Sequence, residues 1–370
     1  MNKLNLIVYL ADQNPHRDRS LGITSFTDCL LRELAKRDEI AVTTISSRSS
    51  YSPDAGPIAQ ICLPWRTNQP IQRLVTDHLH PLFIRSHKAD IFYYPKGWLP
   101  LALRTKASIV VTIHDTIVDY YRRHYGNRRL RISFYYWMKM LSLSIQRADL
   151  ITTVSENAKK QILEFCAQQN IACPNVTVCY QSSPLETFAP PGSFAKDNFV
   201  LHLASAEPHK RTLHLLRWWR ILQDQQRDIP PLVLVGHLCP EAQRLVAQVR
   251  HVSHKPRLPR LELIALMQKA RALIFPSEIE GFGIPALEAY YVGTPVCYVG
   301  QTAVHEILLP ATDKGKFVLD DLASFEIALA EILSLSDEDI LGVRNKLRNI
   351  YSTSRFGDRI MAGFMSCRKA

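Results

Sequence analysis

Two successive series of short apolar runs, each alternating with amphipathic stretches, constrain this chain more than any other feature. In the first, residues 4–9, 41–45, 90–94, 108–113 and 150–154 read as strands, with helices over 24–35, 131–144 and 155–168 between them. Ser155 suits an N-cap, with Glu156 to Leu163 at helical spacing behind it. The pattern breaks over 181–198, where Ser182, Ser183, Pro184, Pro190, Pro191 and Gly192 punctuate a stretch without periodicity. A second series starts at once, with strands expected over 199–203, 232–235, 272–275, 296–299 and 316–319. Strands alternating with helices build a parallel sheet covered on both faces. The expected fold class is therefore α/β, with two doubly wound parallel-sheet units facing across a cleft. Ligands of such sheets bind beyond the carboxyl ends of the strands.

At 370 residues the chain is too long for one ordinary core, which agrees with two units. No apolar run approaches ~18 residues and no basic leader precedes an apolar segment, so neither a spanning helix nor a secretory signal is expected. Eight scattered cysteines without a C-x-x-C pair read as reduced packing residues, and the expected location is cytoplasmic. The net charge of +11 asks for a polyanionic neighbour. The excess is concentrated in residues 101–150, where Arg122, Arg123, Arg128, Arg129, Arg131, Lys139 and Arg147 interleave with Tyr120, Tyr121, Tyr125, Tyr135, Tyr136 and Trp137. A basic and aromatic face over 120–147 fits an anionic membrane surface, and equally a solvated face above a buried aromatic stripe. No RNA-binding signature is present, so nucleic acid is not an expected partner.

The chemistry concentrates in the run Phe275-Pro-Ser-Glu-Ile-Glu280-Gly-Phe-Gly-Ile-Pro285-Ala-Leu-Glu288-Ala. A strand empties into a turn with two glycines, and a helix is expected to open at Pro285. The amides of Gly281, Phe282, Gly283 and Ile284 would then point out of a helix N-terminus, where the dipole favours an anion. Glu280 stands at the mouth of the turn and Glu288 a turn into an otherwise apolar helix. A carboxylate so placed is costly unless it meets donors, and a ribose diol supplies two. Phosphate-seeking amides between hydroxyl-seeking carboxylates suit a nucleoside diphosphate sugar. The Gly281-x-Gly283-x-x-Ala286 spacing also matches a dinucleotide fingerprint, but the following strand ends in Gly300-Gln301-Thr302 instead of the acid that would hold a ribose. Asp337-Glu-Asp339 has a metal-binding form but sits where acids cap a helix, and His202, His214, His237, His251 and His254 lack ligand spacing; no metal is expected.

The span Phe275 to Val296, with Gly293-Thr-Pro-Val296 closing it, resembles the signature of the family-4 glycosyltransferases. Further matches fall in order along nearly the whole chain: Gly22-Ile23, His114-Asp115, Ala148 to Glu156, Glu207-Pro-His-Lys210, Leu234-Val-Gly236 and Glu306. The resemblance implies a retaining, metal-independent enzyme of the GT-B fold, with two Rossmann-like domains. It places them at 1–185, the acceptor side, and 186–351, the nucleotide-sugar side, with 352–370 packing back on the first. It implies that Lys210 stabilises the departing diphosphate in place of a metal, and that Glu280 holds hydroxyls of the donor sugar with the amides of Gly281 to Gly283. Glu288 would hold the ribose, Gly22 would let amides approach the diphosphate, and His114 would face the sugar near the reacting carbon. His209 and Ala204-Ser205 stand where relatives carry arginine and Gly-Arg, which weakens the second phosphate contact. The implied reaction moves a hexose from a nucleoside diphosphate sugar to an acceptor hydroxyl, and the basic and aromatic face suggests as acceptor a lipid-linked glycan at the inner face of the cytoplasmic membrane, such as a polysaccharide or lipopolysaccharide precursor. A soluble transferase with a small acceptor and a non-catalytic sugar-nucleotide-binding protein are the alternatives. Arg17 and Arg19 fit an anionic acceptor or a solvated loop equally well.

Overall fold

A computed structural model of the chain describes residues 3–13, 21–48, 58–67, 69–82, 84, 88–126, 132–188 and 196–368. They divide into two compact units, one of Met1–Pro184 with Tyr351–Ala370 and the other of Leu185–Ile350.

The first unit carries seven parallel strands: β1 (Leu4–Tyr9), β2 (Ile40–Ser47), β3 (Ala59–Leu63), β4 (Ile91–Tyr94), β5 (Ser108–Thr112), β6 (Leu150–Thr153) and β7 (Val176–Val178). Their order is β3-β2-β1-β4-β5-β6-β7, so the winding reverses between β1 and β4. Between the strands run α1 (Leu21–Leu34), α2 (Pro70–Leu79), α3 (Ile117–His124), α4 (Ile132–Arg147) and α5 (Glu156–Gln169). Ser155 caps α5 by accepting from Ala158 N–H at 2.9 Å, and Asn170 ends it in the left-handed region. The central strands β4 and β6 are buried at every residue, as parallel strands covered on both faces must be.

The second unit holds β8 (Val200–Ala204), β9 (Leu232–Gly236), β10 (Val252–Lys255), β11 (Ala272–Phe275), β12 (Val296–Val299) and β13 (Lys316–Phe317) in the order β10-β9-β8-β11-β12-β13. Its helices are α6 (Thr212–Asp224), α7 (Pro240–Val246), α8 (Arg260–Lys269), α9 (Ile284–Tyr291), α10 (Ala303–Leu308), α11 (Leu322–Leu333) and α12 (Asp337–Ile350). This is the nucleotide-binding strand order, and its switch point lies between β8 and β11. Trp218, Trp219, Phe317 and Phe325 fill the core beneath α6 and α11. Gly236 ends β9 at φ 134, and a Cβ there would stand 2.0 Å from the carbonyl oxygen of Ala204. Only glycine allows β8 and β9 to close at that point.

The last helix, α13 (Thr353–Cys367), belongs to the first unit. Phe356 packs edge-on to Phe26 of α1 with ring centroids 4.9 Å apart, and Phe364 likewise on Tyr93 of β4 at 5.1 Å. Arg37 reaches Asp358 at 2.6 Å, and the Ser108 hydroxyl donates to the Cys367 carbonyl.

Three expectations about local structure change. The helix expected to open at Pro285 opens one residue earlier, because Gly283 at φ 97 serves as its N-cap and Pro285 takes the second helical position. The strand expected over 316–319 is the two-residue β13. The basic and aromatic face over 120–147 is partly structural. Arg122 and Arg123 pair with the buried Asp119 at 2.9 and 3.0 Å, and Arg147 donates to the carbonyls of Pro100 and Leu103. Arg17, Arg19, Arg128, Arg129 and Arg131 lie outside the described residues.

Candidate active site

In the second unit the chemistry gathers at the switch point. The chain leaves β8 at Ala204, runs through a short turn at Pro208–Lys210 and enters α6. A buried histidine holds this connection. His202 Nδ1 must donate to the Ile274 carbonyl (3.0 Å), so its Nε2 accepts from the Thr212 hydroxyl (2.8 Å). The Thr212 oxygen in turn accepts from Ser205 N–H at 3.0 Å. Burial lowers the His202 pKa to about 4, which keeps this relay neutral.

The turn thus fixed delivers Lys210 to Glu280, with Nζ 2.5 Å from Oε1. The same ammonium stands 5.4 Å from the Phe275 ring centroid. The two loops are further joined by Glu278 N–H donating to the His209 carbonyl at 3.0 Å. His209 itself is buried. Arg211, left-handed at φ 57, bridges Glu278 and Asp320.

Gly281, Phe282 and Gly283 are buried, and a Cβ on Gly283 would approach Val304 Cγ2 to 2.6 Å. Only glycine turns the chain into α9 there. Glu288, also buried, accepts from Arg260 of α8 at 2.5 Å. That guanidinium already offsets the cost of burying the carboxylate, so burial alone does not call for a ribose diol. Asp337-Glu-Asp339 opens α12 as a capping box: Ser336 Oγ donates to Asp339 Oδ2 (2.7 Å) and accepts from Asp339 N–H (3.1 Å). Among the described residues no group of three or more His, Cys, Asp or Glu is placed to hold a metal ion.

The first unit has its own depression, of about 460 Å³, beyond the carboxyl ends of β1, β4 and β5. Asp12 and Gln13 follow β1; Lys96, Gly97 and Trp98 follow β4; Ile113, His114 and Asp115 follow β5. Ile23 and Thr24 of the first turn of α1 line it too, one residue beyond Gly22, which is exposed. His114 Nε2 donates to the Pro95 carbonyl at 2.8 Å, and Phe26 stands edge-on to the ring. Desolvation lowers the His114 pKa to about 4. The imidazole is therefore neutral near pH 7 with Nδ1 as an acceptor, suited to a hydroxyl and unsuited to neutralising a phosphate.

Motif reading selected Lys210, His209, Glu280, Gly281 to Ile284 and Glu288, which the second unit gathers around the β8 and β11 ends, and His114 and Gly22, which the first unit sets near its depression. It missed Asp12, Gln13, Arg73, Lys96, Trp98 and Trp137, which line the same depression as His114. The signal that finds them is positional: they cluster where β1 and β4 end on either side of the reversal.

Two doubly wound parallel-sheet units, each with ionisable groups at its switch point, are the GT-B architecture. Residues 185–337 match the family model "Glycosyl transferases group 1" and residues 22–172 match "Glycosyltransferase Family 4". The chain belongs to the family-4 type of GT-B glycosyltransferases. It is 27% identical over 280 residues to the O-antigen chain mannosyltransferase RfbU of Salmonella typhimurium, covering 71% of this chain and 74% of that protein. It is 26% identical over 238 residues to O-antigen chain mannosyltransferase B of Escherichia coli, and there the match spans only 61% of either protein. Among solved structures, WaaG, a glycosyltransferase involved in lipopolysaccharide biosynthesis, superposes with a TM-score of 0.69 over 97% of this chain and 99% of that one, at 15% identity. Among the described residues no helix is long and apolar enough to cross a membrane.

Proposed function

We propose that this chain is a retaining hexosyltransferase that moves a mannose- or glucose-type sugar from a nucleoside diphosphate to a hydroxyl of a lipopolysaccharide or cell-envelope polysaccharide precursor. The observation that carries the reading is the Lys210–Glu280 pair at the β8–β11 switch point, beside the N-terminus of α9. It brings a diphosphate-seeking cation and a hydroxyl-seeking carboxylate to one point of the site. Mannose is favoured by the O-antigen mannosyltransferases to which the chain is similar.

In this reading the bond between the anomeric carbon and the diphosphate oxygen breaks as Lys210 and the amides of Gly281 to Ile284 take up the developing charge. The acceptor oxygen bonds to the same face of that carbon, and its proton passes to the leaving phosphate oxygen. Glu280 orients the sugar, Glu288 takes a ribose hydroxyl beside Arg260, and neutral His114 accepts from a sugar hydroxyl. No divalent metal is required, since Lys210 supplies the positive charge. His209 lies close enough in sequence to add a weaker second contact.

Acceptor-dependent release of nucleoside diphosphate from GDP-, UDP- and ADP-hexoses, in the presence of chelator, tests this. Release of one diphosphate with an α-linked product supports it. Binding without turnover for every donor points to a sugar-nucleotide-binding protein, and loss of rate in chelator rejects the metal-free mechanism. For the membrane, Ile71, Leu74, Leu82, Leu101 and Tyr135 supply exposed apolar surface on the first unit. Co-flotation with anionic vesicles, lost on exchanging Ile71 and Leu101 for serine, checks that proposal.

A further inference from the structure

The loop after β1 holds two buried oxygens, Asp12 Oδ1 and Gln13 Oε1, that find no hydrogen-bond donor among the described residues. Asp12 is 8% exposed and Gln13 2%, and both line the depression of the first unit. Leaving such groups unsatisfied is costly, so each calls for a donor that the described residues do not supply, and the depression they line is where one can enter.

Their surroundings fix the Gln13 side chain and the Asp12 backbone. Gln13 Nε2 donates to Thr27 Oγ1 at 3.0 Å, and that hydroxyl donates onward to the Ile23 carbonyl at 2.9 Å. The amide is thereby oriented, with Oε1 as its remaining group. Gln13 N–H donates to the Leu10 carbonyl at 2.9 Å, which closes the loop. Lys96 Nζ donates to the Asp12 carbonyl at 2.8 Å and ties the loop to the end of β4. Behind it, Tyr9 donates to Asp77 at 2.9 Å and Arg73 Nε reaches the other Asp77 oxygen at 3.3 Å.

The chemistry of the missing donor follows by elimination. An anion is excluded because both orphan atoms are acceptors. A cation is not required, since Lys96 and Arg73 already line the depression with Asp12. What remains is a neutral donor, and acceptors on consecutive residues lining one depression suit the hydroxyls of one sugar. Trp98, Trp137 and Ile113 add the apolar wall expected of a site for a compact polar ring, and 460 Å³ falls within the ~300–1,000 Å³ range of small-molecule sites. Burial raises the Asp12 carboxyl to about 6, against the pull of Lys96, so at neutral pH it is still mostly a charged, strong acceptor.

We propose that Asp12 Oδ1 and Gln13 Oε1 form a two-acceptor clamp that selects the acceptor glycan by neighbouring hydroxyls of its terminal sugar. The clamp rests on the reading of the chain as a glycosyltransferase, and it assigns acceptor specificity to residues that no sequence motif marks.

The test pairs Asp12→Asn and Gln13→Met with a synthetic mannobiose acceptor and its monodeoxy analogues, after melting curves have shown both variants folded. In initial-rate kinetics with the preferred donor, Asp12→Asn should raise the acceptor KM about tenfold or more while the donor KM stays within about twofold. One monodeoxy acceptor should lose a similar factor on the wild-type enzyme and nothing further on Asp12→Asn, a coupling that a purely structural aspartate would not produce. Unchanged acceptor KM in both variants overturns the clamp, as do fully additive deoxy and mutant losses. A donor KM that rises with the acceptor KM also overturns it, by giving the depression to the donor sugar. Should the wild type turn over no donor, ligand-detected NMR with mannobiose still decides. Binding lost in Asp12→Asn keeps the clamp while the transferase reading fails; no binding by the wild type, or binding retained in the variant, overturns the clamp.

Discussion

Replacing Lys210 by methionine keeps the volume of the side chain and removes its charge. Two losses follow, and they can be separated. In the folded protein the ammonium lies 2.5 Å from the Glu280 carboxylate, with side-chain exposures of 27% and 11%. At an effective dielectric constant of about 20, unit charges that close attract by ~7 kcal/mol before desolvation is counted. Desolvation of both groups and solvent access to the lysine offset most of this, leaving a net coupling of ~1–3 kcal/mol. Lys210→Met removes the cation beside a buried carboxylate, whereas Glu280→Gln leaves an ammonium that can reach water. The first substitution should therefore lower the melting temperature more than the second, and the double variant should recover part of the loss. During catalysis the missing charge should cost ~3 kcal/mol of transition-state stabilisation, or ~10²-fold in kcat. Glu280→Gln should preserve the phosphate contact and act mainly through sugar positioning. Steady-state kinetics and thermal denaturation of the two single variants and the double variant give both quantities. Wild-type kcat in Lys210→Met would remove the lysine from leaving-group stabilisation, and additive stability losses would show that the pair is not coupled.

Glu288→Ala should weaken nucleotide binding by ~1.5–3 kcal/mol, and unchanged affinity in calorimetry would end its ribose role. Arg260→Ala should destabilise the fold more than Glu288→Ala, because it removes the cation beside a buried carboxylate while the reverse change frees a half-exposed guanidinium; chemical denaturation ranks the two. Gly283→Ala should cost ~1–3 kcal/mol in stability and reduce donor affinity, since φ 97 and the 2.6 Å approach to Val304 both oppose a side chain; an unshifted melting curve would contradict this. Burial holds His80 and His202 at about 4, below the ordinary ~6.5, so the unfolded chain binds more protons between these values. Their contribution is intact above ~6.5 and is lost as pH falls toward 4, by up to ~3 kcal/mol each. Melting temperature against pH should show that slope, flattened in a folded His202→Gln variant.

The central strands were legible because both faces are buried. Ile91–Tyr94 and Ala272–Phe275 are continuous apolar runs with no other plausible reading. Three of the four outer strands, β3, β7 and β10, were not. Val252–Lys255 at one edge alternates half-buried Val252 and His254 with exposed Ser253 and Lys255, and Ala59–Leu63 is mostly exposed. Edge strands gain their identity from a neighbour's hydrogen bonds, which local composition does not record. The candidate site residues of the second unit were legible for a related reason. Lys210, Glu280 and Glu288 fall in short segments whose turn chemistry is local. Arg260 as the partner of Glu288, and the convergence of Asp12, Gln13, Lys96 and His114, depend on strand order, a long-range property. Glu288 shows the limit of reasoning from cost alone: a buried carboxylate demanded donors, but the sequence did not say that one would be an arginine on α8.

Helix α13 closes a unit whose other elements precede Leu185, so the chain reads as one domain inserted into another. During synthesis the second unit emerges as an uninterrupted segment and can fold as soon as it leaves the ribosome. The first must wait with Phe26 and Tyr93 uncovered until Phe356 and Phe364 arrive. Shortening the chain by its last helix would therefore damage the half made first, and leave the half made second intact.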